Sequence, residues 1–69
     1  MPEIVFVVVQ EGDGPYSAEC RTEMIFAEGA TWEQLRQNVL AATAAYHFDG
    51  ERPERIRLRL VRDETLSVA

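Results

Sequence analysis

The apolar positions of the chain begin with an uninterrupted run over residues 4–9, which consists of β-branched residues and one phenylalanine. The run ends at a turn rich in Gly, Asp and Pro over residues 10–15. This pattern predicts a strand over about residues 3–10. Both of its faces are apolar, which is typical of a central strand that is covered on both sides. The two faces are Ile4, Phe6 and Val8, and Val5, Val7 and Val9.

Three further segments have strand-like patterns. Residues 16–21 alternate between small or apolar side chains and polar ones. Residues 24–27 form a short apolar run after a polar stretch that suits a hairpin turn. Residues 55–62 alternate most clearly, with Ile56, Leu58 and Leu60 between arginines. The pattern predicts strands over 16–21, 24–28 and 55–62, followed by a short tail.

A helix is predicted over about residues 32–47. Thr31 has the position of an N-cap, and Gln34 follows at capping-box spacing. The helix is expected to end near residues 48–50, before Pro53. Its apolar stripe, taken at 100° per residue, consists of Trp32, Leu35, Val39, Ala42, Thr43 and Tyr46.

The predicted order is therefore β-β-β-α-β, an α+β fold in which residues 1–69 form one domain. Short links predict an antiparallel meander of the first three strands, and the helix crossover places the fourth strand parallel to the first. The expected sheet order is 3-2-1-4, with the helix on one face. The other face would then expose Val5, Val7 and Val9, with Ile25 and Val61 as neighbours. A second subunit is the simplest cover, so we predict a homodimer, which would also compensate for the small core.

Composition and charge narrow the function classes. The formal net charge is −5 and the pI about 4.7, and all seven basic residues are arginine. Residues 1–51 carry −7, whereas residues 52–62 carry +4. An acidic chain of 69 residues is too short for a two-domain enzyme and is not an obvious nucleic-acid binder. With no membrane-spanning run, no signal peptide and a single cysteine, we expect a cytoplasmic protein.

No residue set predicts catalysis, a cofactor site or a metal site. The Gly-containing turn at residues 12–15 lacks the spacing and the lysine of a phosphate-binding loop. One histidine and one cysteine cannot supply a zinc site, and the central strand carries no acid within it. His47 suits the end of the helix, and Cys20 suits the core of its strand. We therefore predict a protein that is not an enzyme, although a pocket built at a dimer interface stays a minor alternative.

The arginines of the last strand form the candidate partner-binding surface: Arg55, Arg57, Arg59 and Arg62, with Arg52 just before the strand. One interpretation is a solvated strand face that pairs with acids such as Glu19 across the sheet. The other is a contact surface for an acidic protein or an RNA backbone, which a steep salt dependence would reveal.

Part of the sequence resembles the HicB-like antitoxin family over about residues 3–50. The family's Gly-Gly-Tyr-x-Ala and Gly-x-Thr-x-Glu-Glu-Ala patterns and a later Asn have counterparts here. The counterparts are Gly14-Pro15-Tyr16-Ser17-Ala18, Gly29-Ala30-Thr31-Trp32-Glu33-Gln34-Leu35 and Asn38. The family's Pro-Asp-Leu-Pro-Gly-Cys loop is absent, and the chain ends soon after the last strand, so we expect a short, solitary member without a DNA-binding tail.

The resemblance implies a degraded ribonuclease H-like fold and a non-enzymatic protein that masks a small RNA-cleaving toxin. Such a toxin would be basic, and residues 1–51 of this chain, which carry a charge of −7, would complement it. The alternative hypothesis is a nucleic-acid-contacting regulatory protein that uses the arginine-rich last strand.

Overall fold

The computed structural model describes residues 3–47, 50 and 53–68 of the chain. The elements are β1 (Glu3–Glu11), β2 (Tyr16–Cys20), β3 (Ile25–Gly29), α1 (Trp32–Tyr46) and β4 (Arg55–Asp63). The predicted order β-β-β-α-β is confirmed. The largest shift in a boundary is in β3, which begins and ends one residue later than predicted.

The four strands form one sheet of order β3-β2-β1-β4, as predicted. β1 pairs antiparallel with β2 and parallel with β4, and β2 pairs antiparallel with β3. The long strands β1 and β4 are in register over their whole length, from Glu3 opposite Arg55 to Glu11 opposite Asp63. β1 is therefore a central strand with a partner on each side.

The turn between β1 and β2 depends on a glycine with left-handed backbone. Gly12 has a φ of 57°, a value that a residue with a Cβ adopts only at a cost. The side-chain amide of Gln10 donates to the carbonyl of Gly14 at 3.2 Å and closes the turn from the β1 side. The Gly- and Asp-containing segment that joins β1 to β2 is thus a tight hairpin connection.

The core lies between the sheet and the single helix. Phe6, Val8, Leu35 and Val39 are the largest fully buried side chains. The rest of the buried apolar cluster comes from the helix-facing side of the first three strands: Ile4, Ala18, Cys20, Ile25 and Ala27. The prediction that Cys20 is a core residue is confirmed; it is a buried free thiol.

The helix begins as its sequence predicts. The Thr31 hydroxyl accepts a hydrogen bond from the Gln34 backbone N–H at 3.1 Å. The Gln34 side chain reaches back to the Ala30 N–H at 2.9 Å, so both residues of the predicted capping box bond to the backbone. Leu35, Val39 and Thr43 form the buried stripe. Tyr46, the last helical residue, which the 100° spacing also places on that stripe, is instead 49% exposed.

Two contacts hold the helix against β3. The Asn38 side chain donates to the Glu28 carbonyl on β3 at 2.6 Å. Gly29 at the end of β3 lies so close to the first helical turn that an added Cβ would be 2.7 Å from the Leu35 Cα. The backbone of α1 therefore lies over β3 and, less extensively, over β2, which leaves the helix displaced towards the β3 edge of the sheet.

Candidate functional site

The candidate site is the sheet face that the helix leaves uncovered, which we call the open face. Side chains of residues that are paired in register point to the same side of the sheet. The register therefore shows which residues lie on the open face. β1 contributes Glu3, Val5, Val7 and Val9; β2 contributes Ser17 and Glu19; β3 contributes Phe26 and Glu28; β4 contributes Arg55, Arg57, Arg59 and Val61.

An apolar strip runs along the middle of the open face. Val5 is 37% exposed, Val9 36% and Val61 41%, and Val7 between them is half-buried. These side chains are adjacent, because Val9 is opposite Val61 and the three valines of β1 follow one another on one side of the strand. A contiguous apolar strip on a central strand is typical of an interaction surface rather than of a solvated sheet face.

Charges of opposite sign flank the valine strip. Arg55, Arg57 and Arg59 lie on β4 at one edge, and Glu19 lies on β2 on the other side. At the level of Val7 the order across the face is Arg59, Val7, Glu19 and then Phe26, which is 59% exposed. The open face is therefore basic on one side, apolar in the middle and acidic on the other side.

The arginines do not pair with Glu19 within the chain. β1 lies between β4 and β2, so Arg59 and Glu19 are two strands apart. Arg57 instead pairs with Glu3 on the adjacent strand, with Arg57 Nε 3.3 Å from Glu3 Oε1. Both side chains are partly exposed, so this pair contributes little to stability.

Two predicted members of these surfaces lie on the opposite side of the sheet. Arg62 is even-numbered in a strand whose open-face residues are odd-numbered, and it pairs in register with Gln10 on the helix side. Ile25 is 5% exposed in the core, because the turn after β2 lasts through residue 24 and places Cys20 opposite Ile25. Phe26 takes the open-face position instead. Arg52 lies outside the described residues.

A second apolar surface lies between the side of the helix and β4, because the helix is displaced towards β3. The side chains of Arg36, Val39, Leu40, Ile56 and Leu58 line a groove between α1 and β4. Leu40 is 58% exposed and Leu60, farther along β4, is 47% exposed. Apolar surface is therefore exposed on both layers of the fold.

Among the described residues, no group of three or more His, Cys, Asp or Glu side chains is arranged to hold a metal ion. His47 caps the end of the helix through its backbone N–H, which donates to the Thr43 carbonyl at 3.1 Å. Its ring is buried and packs edge-on against Tyr46, with 4.9 Å between ring centroids. Within the part of the chain that the structure describes, no helix is long and apolar enough to cross a membrane.

The residues that carry the HicB-like resemblance have structural roles in this fold. Gly29 allows the close approach of the helix, Thr31 caps it and Asn38 bonds it to β3. Tyr16 packs edge-on against Trp32, with 5.3 Å between ring centroids, at the same end of the helix. This motif therefore describes how the helix docks on the sheet, whereas the open face, which could bind a partner, lies on the other side.

Comparison with known proteins places the chain in a family. No protein-family profile matches it and no solved structure matches it, so the ribonuclease H-like and HicB-like relationships stay predictions. The chain is 38% identical over 66 residues to a UPF0150 protein of Thermotoga maritima, an alignment that covers 96% of this chain and 93% of that protein. Similarity of this extent shows that the chain belongs to the UPF0150 family.

Proposed function

We propose that this protein acts by protein–protein association, with a second copy of itself or with another protein, and is not an enzyme. The observation that carries the proposal is the open face, with its exposed valine strip between charges of opposite sign. Charged and apolar groups in this arrangement suit a protein surface, because the apolar strip supplies burial and the charges supply orientation. A solvated sheet face would instead alternate apolar residues inside with polar residues outside.

The finer proposal is an antitoxin-like role, in which the chain masks a small basic protein that cleaves RNA. The resemblance to HicB-like proteins supports it, and so does the charge of −7 carried by residues 1–51. Exposed acids occur on several elements, among them Asp13 in the first turn, Glu28 on β3 and Glu33 on α1. A basic partner would be attracted to this surface at a rate that falls with added salt.

Co-purification tests this role. The tagged chain, expressed in its native cell, is expected to retain a small basic protein at about 50 mM salt and to lose much of it at high salt, because exposed charges are screened. Co-expression is expected to relieve the growth arrest that the basic protein causes alone. A tagged variant with Asp13→Arg, Glu28→Arg and Glu33→Arg is the matched comparison and should retain less. If no basic protein is retained at low salt and growth is not relieved, the antitoxin role is wrong.

A second candidate function is contact with nucleic acid through β4. The observation that favours it is the exposed row of Arg55, Arg57 and Arg59, whose side chains point to one side at about 6.6 Å spacing. This candidate predicts a gel shift with RNA at low salt that disappears at high salt and in the Arg57→Ala, Arg59→Ala double variant. Absence of any shift at low salt would end it.

A further inference from the structure

We infer that the open face is covered by a second copy of this chain, related by a two-fold axis that runs parallel to β1 along the valine strip. The inference rests on the proposed protein-binding role and names the occupant of the open face. It follows from the order of side chains across the sheet, because that order determines which residues a symmetric partner would present.

The effect of each axis can be worked out at the level of Val7. A two-fold axis in the interface and parallel to the strands keeps the level along the strand and exchanges the two sides of the sheet. Val7 then faces Val7 of the second copy. Arg59, one strand to one side, faces Glu19 of the second copy, and Glu19 faces Arg59 of the second copy.

The same two-fold rotation brings uncharged side chains together at the level of Val9. Val9 faces Val9 of the second copy, and Val61 faces Ser17 of the second copy, so the apolar strip is covered along its length. At the level of Val5, β2 has ended, because its last register pair is Cys20 opposite Phe6, and Arg57 is paired there with Glu3 of its own chain. The strands of the two sheets run in the same direction, as in aligned sheet packing at about 10 Å separation.

The other axis in the interface plane runs across the strands and gives the opposite result. When this axis passes through Val7, the middle of the valine strip, it places β4 on β4 and β2 on β2, so Arg59 faces Arg59 and Glu19 faces Glu19. Like charges opposed across an interface disfavour association strongly. The charges of Arg59 and Glu19 at the level of Val7 therefore favour the axis parallel to β1.

Charge exchange at Arg59 and Glu19 tests the axis. Glu19→Arg places two Arg–Arg contacts in the proposed dimer and Arg59→Glu places two Glu–Glu contacts, so each is expected to raise the dimer dissociation constant at least about tenfold. The double variant restores both opposite-charge contacts and is expected to return the constant to the wild-type value. Sedimentation equilibrium at about 50 mM salt measures all four proteins.

Matched controls carry the same charge changes on the other layer. Glu33→Arg and Arg36→Glu alter a helix pair whose Arg36 Nη1 and Glu33 Oε2 atoms are 3.2 Å apart, and both are expected to leave the constant unchanged. Single open-face changes without effect, or a double variant no better than the singles, would overturn the axis. A wild-type chain that is monomeric at all concentrations would overturn the dimer. Retention of a basic protein is a separate measurement, so the antitoxin role and the dimer can fail independently.

Discussion

Substitution of Gly29 by alanine is expected to remove a large part of the stability of the fold. An added Cβ would lie 2.7 Å from the Leu35 Cα and 3.0 Å from the Gln34 carbonyl carbon, and it would lie even closer to the Leu35 backbone nitrogen. All three atoms belong to the helix backbone and cannot rotate away, so the whole first turn of α1 would move off β3. Overpacking costs about 1–3 kcal/mol, and because backbone must move here we expect a loss of about 3 kcal/mol. A domain of this size is stable by only about 3–10 kcal/mol.

Thermal unfolding at fixed protein concentration measures this effect. A loss of about 3 kcal/mol in so small a domain corresponds to a fall of roughly 12–24 °C in Tm. Gly50→Ala is the matched control, because an added Cβ there meets nothing within 4 Å, and it should change the stability by less than about 1 kcal/mol. Equal Tm values for the two variants would show that α1 does not pack as closely on β3 as described.

Substitution of Val7 by glutamate is expected to separate the proposed dimer into monomers that stay folded. Val7 is the middle of the valine strip, and on the proposed axis the two carboxylates would face each other between apolar neighbours. Removing two carboxylates from water while they face each other is costly, so the dissociation constant should rise about 100-fold or more. In the monomer the new carboxylate would be next to Arg59 on the adjacent strand and would be solvated.

Leu40→Glu is the control for this substitution. Leu40 is 58% exposed beside the groove on the helix side, so the same acidic side chain is introduced on the opposite layer. Far-UV circular dichroism should show that both variants are folded, and sedimentation should show that only Val7→Glu is monomeric. A dimer that survives Val7→Glu but not Leu40→Glu would place self-association at the groove.

The fold could be predicted from the sequence because several local signals agreed with one another. The doubly apolar run at residues 4–9 predicted a central strand, and the alternation from Ile56 to Leu60 predicted a strand of similar length beside it. Thr31 and Gln34 located the start of the helix. The Thr31 hydroxyl makes the predicted cap, whereas the Gln34 side chain accepts from the Ala30 N–H, one residue before the capping residue. The sheet order followed from short connections and from the need to cover the first strand.

The sequence predicts only in part which face of the sheet each site residue occupies. A pairing register shifted by one residue moves every side chain of a strand to the other face. The turn through residue 24 put Ile25 into the core and Phe26 on the open face, which the run of apolar residues 24–27 could not specify. Arg62 belongs to the predicted set of arginines at the end of the last strand, and its pairing with Gln10 places it on the helix side. The relation between Glu19 and Arg59 required the sheet register.

The mass of the wild-type chain in solution shows whether a second copy covers the open face. Sedimentation equilibrium from about 1 to 100 μM spans the dissociation constants expected of a modest protein interface. We expect a mass that rises with concentration towards twice the 7.8 kDa of one chain, with no larger species. A mass that stays at 7.8 kDa over the whole range would contradict the proposed dimer.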